Sequence, residues 1–151
     1  MLTLIETPVT APIATSLLNE YFALRQATHP GGGYTVTRPD PSRFVRPDGL
    51  FGVAEDDQGH VVGCGGVRRL SDVRFEIKHL FVRESARGRG LGRLILEALE
   101  KSARELGAEE MVLDTNASLD AANWLYRSLD YSETEPYNDN PNATTWFLKT
   151  L

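Results

Sequence analysis

The chain has 151 residues, of which 41% are hydrophobic, and its formal net charge is −5. This length and apolar content suit one buried core, so we expect a single domain over residues 1–151. The acidic balance argues against a nucleic-acid-binding surface, which needs a concentrated excess of Lys and Arg. The lone Cys64 cannot form an internal disulfide, and no apolar run approaches the ~20 residues that span a bilayer. No charged-then-apolar leader opens the chain, so we expect a cytoplasmic protein without a membrane partner.

The first third of the chain predicts a strand, a helix and a long loop. Residues 2–6 have the pattern of a short strand, and apolar residues from Ile13 recur at helical spacing up to about Thr28. A proline and three consecutive glycines then end this helix. Residues 34–49 show no sustained period and are rich in Pro, Arg and Asp, which indicates a loop with one helical turn after Pro41.

A predicted hairpin comes next. Residues 50–55 and 61–70 have the pattern of two strands, and the segment 56–60 between them has the residue types of a tight turn. Gly65 and Gly66 lie inside the second strand. They either leave room for a ligand or mark a bend in a curved sheet, and both alternatives stay open.

A strand, a glycine-rich turn and a helix follow one another from Phe75 to Gly107. In the turn, three glycines alternate with larger residues just where the helix begins, so several backbone N–H groups are open to a ligand. The helix dipole and the side chains of Arg87, Arg89 and Arg93 add positive charge, which predicts a site for phosphate or pyrophosphate. The apolar stripe predicted for the helix consists of Leu91, Leu94, Ile95, Ala98 and Leu99.

Two well-known phosphate-binding motifs fit this turn poorly. It lacks the Lys-Ser/Thr pair of a P-loop, and the glycines Gly88, Gly90 and Gly92 are spaced too closely for the dinucleotide fingerprint. The turn, read as Arg87-x-x-Gly90-x-Gly92, instead resembles the Arg/Gln-x-x-Gly-x-Gly/Ala acyl-CoA loop of the GNAT superfamily of N-acetyltransferases. A glycine-rich turn that only links strand to helix is the alternative.

A second segment strengthens the resemblance. Residues 110–115 predict a strand, and residues 119–129 predict a helix with Ser118 as its N-cap. The stretch from Ala122 to Tyr131 resembles the family's Ala-x-x-Leu-Tyr-x-x-x-Gly-Phe/Tyr segment, except that Asp130 stands where the family has glycine. Because Asp tolerates left-handed backbone better than most residues, we expect the helix end to survive this change.

The tail completes the predicted architecture with two strands, at residues 131–135 and 144–148, around a turn-rich loop. The order is β-α-(loop)-β-β-β-α-β-α-β-β, an α/β (α+β) protein. It is consistent with the fold that the resemblance implies, a GNAT-type mixed, largely antiparallel central sheet flanked by helices. Apolar residues in the last strand would allow a homodimer to form at a sheet edge.

The resemblance implies an N-acetyltransferase that uses acetyl-CoA as its cosubstrate. The pantetheine of acetyl-CoA would bind the central strand, and the pyrophosphate would bind the glycine-rich turn. Many relatives carry Asn where this chain has Leu119, so Asn116 or Asn123 would supply that contact instead. Tyr126 would be the acid that protonates the departing thiolate. The predicted cosubstrate-binding residues are Leu80, Phe81, Val82, Arg87, Gly88, Arg89, Gly90, Leu91, Gly92, Arg93, Asn116 and Asn123.

Acetyl transfer also needs a base that leaves the acceptor amine neutral. Glu76 and His79 both lie on the central strand, where simple alternation puts them on opposite faces and a bulge would reverse that parity. We choose Glu76, because a carboxylate there would also attract an ammonium substrate. A surface carboxylate, or an ion pair of Glu76 with Lys78 or Arg74, is the alternative.

The predicted acceptor is a primary amine on a small molecule. Arg38 and Arg43 lie in the 34–49 loop, which we expect to cover the substrate mouth, and together with Arg68 they would bind a carboxylate. A solvated loop with unremarkable charges is the alternative, and protein amines stay open as acceptors.

Two other functions stay open at this point. A non-catalytic acyl-CoA-binding sensor or interaction module would keep the fold and lose turnover, although Tyr126 and the intact loop count against it. A nucleotide-binding regulator would prefer ATP or NAD to CoA. Three scattered histidines and a single cysteine supply no convincing set of metal ligands, so we expect no metal.

Overall fold

The structure, a computed structural model, describes residues 1–151. Its strands are β1 (Leu2–Glu6), β2 (Gly49–Asp56), β3 (Val61–Arg69), β4 (Arg74–Val82), β5 (Glu110–Thr115), β6 (Ser132–Thr134) and β7 (Thr145–Thr150). Its helices are α1 (Pro12–Thr28), α2 (Leu91–Glu105) and α3 (Asp120–Ser128), with short 3₁₀ turns at Pro41–Arg43 and Glu84–Ala86. The predicted element order is confirmed, with boundaries shifted by one or two residues.

All strands join one seven-stranded sheet in the order β1-β2-β3-β4-β5-β7-β6. Only β4 and β5 run parallel, and they pair over a short stretch, Arg74–Glu76 with Glu110–Val112. Beyond Glu76 the two strands diverge, so backbone groups on that edge of β4 have no strand partner. The predicted mixed, largely antiparallel sheet is confirmed, and the gap between β4 and β5 is where a ligand can enter it.

A bulge interrupts β4 beside this gap. Gly66 pairs with Lys78 and Cys64 with Phe81, so three steps along β4 match two along β3. His79 takes up the extra residue with a positive φ of 57°. As a result its ring packs against residues of α1, on the same face of the sheet as Glu76. Simple alternation, which put these two side chains on opposite faces, is therefore wrong here.

The sheet separates two hydrophobic cores. The α2-side core packs Phe75, Ile77 and Phe147 of the sheet against α2, α3 and Tyr131. The α1-side core packs Phe51 and neighbouring strand residues against α1. The helices on each side therefore bury their apolar residues against one face of the sheet. The cavity described below lies between α1 on one side and α3 on the other.

Three local predictions are wrong. In α2, Leu94 is 38% exposed, while Glu100 is buried and accepts hydrogen bonds from Tyr131 and Lys149. Ser118 does not cap α3, which has no side-chain cap. The last strand, β7, is paired on both sides, by β5 and β6, so it cannot be a dimer edge.

One other local prediction holds, and the question left open at Gly65 and Gly66 is answered. Asp130 takes a positive φ of 71° at the end of α3, as expected for a residue replacing glycine. Gly65 and Gly66 have a packing reason: an added Cβ would lie 2.7 Å from Leu99 and 2.9 Å from Phe44, respectively. These glycines therefore let other side chains approach the sheet, rather than leaving room for a ligand.

Candidate active site

A cavity of about 1030 Å³ opens where β4 and β5 diverge. One wall comes from α1 and the 34–40 loop, and the opposite wall from α3 and residues 118–122. The β4 bulge lies at its base, and the loop that precedes β7 also contributes. The cavity thus adjoins both the predicted cosubstrate elements and the predicted acceptor loop.

The glycine-rich turn forms an anion cradle beside this cavity. None of the backbone N–H groups from Gly88 to Arg93 donates a hydrogen bond to another protein group. Gly88 and Gly90 have positive φ values of 81° and 72°, and no atom occupies the space that a Cβ would fill. The turn and the first turn of α2 therefore present a set of free N–H donors, as phosphate binding requires.

The three arginines of the turn are not equivalent. Arg87 lines the cavity, and its Nε donates to the Val82 carbonyl at 3.2 Å. Arg89 pairs with Asp56 at 3.3 Å, and Arg93 pairs with Glu97 at 2.7 Å. Only Arg87 therefore brings its side-chain charge to the cavity, and the anion site depends mainly on backbone N–H groups.

Substituting Gly90 with alanine tests the cradle. The residue is the N-cap of α2 in the left-handed conformation, which costs an L-residue about 1–2 kcal/mol. If the backbone of the turn relaxes to relieve this strain, its N–H groups turn away from the bound phosphates. We then expect the acetyl-CoA dissociation constant to rise about 10- to 100-fold in calorimetry. Gly107→Ala, also at a positive φ but at the other end of α2, is the control. It should lose stability without losing affinity; equal affinity losses would contradict the assignment.

Strand β4 and helix α3 face each other across the cavity. Leu80, Phe81 and Val82 line it from β4, and Tyr126 lines it from α3. The Tyr126 side chain is largely buried, but its hydroxyl makes no hydrogen bond within the protein. Burial raises the pKa of Tyr126 to about 12, although the charge of Arg25 limits the rise. The phenol is therefore protonated at neutral pH and free to donate a proton.

The two asparagines predicted to contact the cosubstrate serve the protein itself. Asn123 donates to the carbonyls of Asn116 and Leu119, and Asn116 donates to the Asn142 carbonyl. Neither side chain lines the cavity. These bonds fix the turn between β5 and α3, and a contact with the cosubstrate remains a prediction that this geometry does not favour.

Glu76 is fully buried and does not line the cavity. Its carboxylate accepts from Arg68 Nε at 2.7 Å and from the Tyr137 hydroxyl, and Lys78 Nζ lies 3.5 Å away. Arg68 does line the cavity, so Glu76 holds a cavity-facing cation in place. Its role as base stays a prediction, and any proton would have to reach it through these neighbours.

A second charged pair lies beside the first. Lys78 donates to the Asp114 carboxylate at 3.2 Å, and Asn138 donates to the same carboxylate at 2.6 Å. Burial alone would raise the pKa of Asp114, but Lys78 and Asn138 outweigh it and hold the pKa below its usual value. Both ion-pair partners line the cavity, so this part of its surface is polar and close to neutral.

The predicted acceptor arginines separate into two groups. Arg38 and Arg68 line the cavity. Arg43 does not: its guanidinium donates to the Arg69 carbonyl at 2.6 Å and supports the loop. Sequence reasoning missed Arg25, which lines the cavity from α1 beside Tyr21. The four-residue spacing of Tyr21 and Arg25 on a predicted helix was the available signal.

His79 lies at the centre of an aromatic cluster. Its ring is 5.7 Å from that of Tyr21, 5.6 Å from Phe22 and 5.9 Å from Phe44, measured between centroids. Burial lowers the pKa of His79 to about 3, and Lys78 adds to the effect. The imidazole is therefore neutral at physiological pH, and its Nδ1 has no hydrogen-bond partner.

Two loops meet over the acceptor side of the cavity. The Asn142 amide accepts from the Thr35 N–H at 2.9 Å and donates to the Thr35 carbonyl at 2.7 Å. The two residues are 107 positions apart and both line the cavity. This two-bond bridge closes a roof between the 34–40 loop and the loop before β7.

No group of three or more His, Cys, Asp and Glu side chains is arranged to hold a metal ion. Cys64 is buried, and burial raises the pKa of its thiol to about 12, as fits a small core residue. None of the helices has the length and apolar character needed to cross a membrane.

Comparison with known proteins identifies the family. Residues 14–131 match the acetyltransferase (GNAT) family. An uncharacterized N-acetyltransferase of Schizosaccharomyces pombe is 38% identical over 108 residues, which cover 71% of this chain and 66% of that protein, just under two thirds of its length. An uncharacterized N-acetyltransferase of Escherichia coli is 32% identical over 143 residues, covering 89% of this chain and 81% of that protein.

Solved structures show the same fold. A GNAT-family acetyltransferase from Staphylococcus aureus superposes with a TM-score of 0.80 at 17% identity, covering 99% of both chains. A phosphinothricin acetyltransferase from Sinorhizobium meliloti, solved in complex with acetyl-CoA, gives a TM-score of 0.67 at 17% identity, covering 99% of this chain and 88% of that one. These likenesses show the fold, and the family match over residues 14–131 shows that the chain belongs to the acetyltransferase (GNAT) family.

Proposed function

We propose that this protein transfers the acetyl group of acetyl-CoA to a primary amine of a small molecule. The observation that carries the proposal is the row of free N–H groups from Gly88 to Arg93, set beside a cavity lined by Tyr126. The cradle suits the pyrophosphate of the cosubstrate, and the unpaired edge of β4 suits its amide-containing arm. Tyr126 supplies the protonated group that acyl transfer from a thioester needs.

The transfer requires one bond to form and one to break. The neutral amine attacks the thioester carbonyl carbon, the C–S bond breaks, and the amine loses a proton. Free N–H groups on the β4 edge would stabilise the developing charge on the carbonyl oxygen. Tyr126 would donate its proton to the departing thiolate and recover one from solvent. Glu76 stays the predicted base, acting through water or through Lys78, which lines the cavity and lies 3.5 Å from the carboxylate.

The roof over the cavity supports a small acceptor. A polypeptide acceptor usually lies in an open groove, whereas the bridge between Thr35 and Asn142 closes one side. The Sinorhizobium meliloti neighbour is named for phosphinothricin, a small molecule, which agrees with this choice. Protein amines are the less favoured acceptors.

Isothermal titration with acetyl-CoA, followed by thiol release across amino acids, polyamines, aminoglycosides and peptides, tests the proposal. Tight binding together with release on one small-molecule class would support it. Binding without release above hydrolysis would favour the non-catalytic acyl-CoA-binding sensor, and release only on peptides would reject the small-molecule acceptor. No binding would reject the assignment of Arg87 to Gly92.

A homodimer and a cytoplasmic location are further proposals. The exposed sheet edges available to a second copy are β1 and the three-residue β6. Light scattering coupled to size-exclusion chromatography would decide the oligomeric state, and fractionation of the source cells would decide the location.

A further inference from the structure

Two arginines in the cavity carry charge that no carboxylate neutralises. Arg25 and Arg38 both line the cavity, and neither has an acidic partner within ion-pair distance. The other cations on this side are paired, Arg68 with Glu76 and Lys78 with an aspartate. In a chain with a net charge of −5, unpaired cations facing a cavity mark a site for an anion.

Both guanidinium groups are held in place before any ligand binds. Arg38 lies 5.0 Å from the Phe22 ring centroid and donates to Asn19. Arg25 lies 5.0 Å from the Tyr34 centroid and donates to the Tyr21 hydroxyl at 3.3 Å. Stacking on a ring fixes the plane of a guanidinium. The N–H groups along its edge that make no hydrogen bond within the protein stay free to bind a ligand. Less side-chain entropy is therefore lost when a carboxylate binds.

Both guanidinium groups lie against α1, that of Arg38 on Asn19 and Phe22 and that of Arg25 on Tyr21. Phe22 and Arg25 are three residues apart on α1, a spacing that puts them on one helix face. Because Arg38 stacks on Phe22, its guanidinium lies beside the turn that carries Arg25. Arg25 and Tyr126 line the same cavity, so an anion held by Arg25 would share that cavity with the proposed acid.

The cosubstrate has a separate site for its own charges. The free N–H groups from Gly88 to Arg93 and the Arg87 side chain belong to the turn before α2, on a different element. Arg25 and Arg38 belong to α1 and to the loop that follows it. They are therefore available to the acceptor.

Resting on the proposed function, we propose that the acceptor is an amino acid whose carboxylate binds between Arg25 and Arg38. A bidentate carboxylate contact matches the planar fork of arginine. The carboxylate would orient the acceptor so that its amine faces the thioester.

Matched acceptors test the proposal on the wild-type protein. After a screen of the twenty proteinogenic L-amino acids, the best acceptor is compared with its primary amide and its decarboxylated amine, for example phenylalanine, phenylalaninamide and phenethylamine. We expect kcat/KM to fall about 10- to 100-fold when the carboxylate is absent. The amide has the less basic amine, so more of it is neutral, and a loss cannot come from amine ionisation. Equal or better use of the amide overturns the proposal.

Variants assign the effect to the two arginines. Arg25→Gln and Arg38→Gln should each raise KM for the amino acid about 10- to 100-fold and change KM for the amide little. Acetyl-CoA affinity should stay at the wild-type value. Arg104→Gln, which removes an exposed arginine of α2 without an acidic partner, is the control for lost charge. If both cavity variants keep the wild-type preference for the carboxylate, the proposal is wrong.

A binding measurement separates this proposal from the proposed catalysis. Titration of N-acetyl-L-amino acids into the protein saturated with CoA needs no turnover. Binding that Arg25→Gln and Arg38→Gln weaken would support the carboxylate site even if no thiol were released, in which case only the proposed catalysis would fail. If acetyl-CoA binds but neither the amino acids nor their N-acetyl derivatives bind, the carboxylate site does not exist.

Discussion

Tyr126→Phe should lower kcat about 100- to 10,000-fold while leaving acetyl-CoA affinity nearly unchanged, because the phenol would act only as the thiolate leaves. The hydroxyl has no hydrogen-bond partner within the protein, so its removal breaks no internal bond. The ring would keep its contacts with Tyr131 and Phe147. Thiol release at saturating substrate, together with calorimetry of acetyl-CoA binding, measures both quantities.

Tyr131→Phe is the matched control, since it removes a buried hydroxyl from a ring 6.1 Å away. That hydroxyl donates to Glu100, so we expect a stability loss of about 1–3 kcal/mol and an unchanged rate. The pH profile adds a further check: since the pKa of Tyr126 is about 12, its ionisation should cause no fall in rate between pH 7 and 9. A wild-type rate in Tyr126→Phe would remove its assignment as the acid.

Glu76→Ala is expected to lower the free energy of unfolding strongly, although its side chain lies behind the cavity surface. Glu76 is completely buried, and its removal leaves Arg68 without a carboxylate and the Tyr137 hydroxyl without an acceptor. Breaking a buried ion pair costs about 3–5 kcal/mol, and the 30% exposure of Arg68 places this case near 3 kcal/mol. Denaturant unfolding of the wild type and variant measures the difference.

Glu110→Ala provides the comparison in the same sheet. Glu110 pairs with Arg74 at 2.7 Å, but both side chains are partly exposed, so we expect a loss of only about 1 kcal/mol or less. Equal losses in the two variants would show that the Glu76 cluster does not stabilise the fold as proposed.

A second substitution of Glu76 tests whether this residue is the base. Glu76→Gln keeps the shape of the side chain and removes its charge. If Glu76 accepts the proton, even through a neighbour, the variant should lose the limb of the pH–rate profile that reports the base, and its maximal rate should fall. A profile that keeps both its limb and its height, with only a lower free energy of unfolding, would limit Glu76 to positioning Arg68.

The sequence predicted the parts of this protein that depend on local patterns. The order of helices and strands follows from apolar periodicity and turn residues, and the glycine-rich turn before α2 was found from residue spacing alone. The position of Asp130 in left-handed backbone followed from the chemistry of its side chain. These features are set within a few residues of chain.

Features that depend on distant contacts were not predictable in the same way. The bulge at His79 is set by pairing with β3, and no residue type in β4 predicts where it occurs. Charged residues are usually exposed, so no local pattern indicates that Glu100 is buried where Tyr131 and Lys149 reach it from other elements. Arg25 was missed because a helix arginine is usually solvated. The face of α1 that carries Arg25 becomes a cavity wall only because the loop with Tyr34 packs against it.

The division of the interior into two cores has a consequence for how acceptor specificity can diversify. Residues of α1 pack only into the α1-side core, whereas α2 and α3, which adjoin the glycine-rich turn, pack into the other. Mutations that reshape α1 can therefore accumulate without disturbing the scaffold of the glycine-rich turn, provided that the contact of Tyr21 with Phe81 of β4 is kept. Directed evolution toward new amines should concentrate on α1 and the 34–40 loop, and a transplanted α1 from a relative should carry its acceptor preference with it.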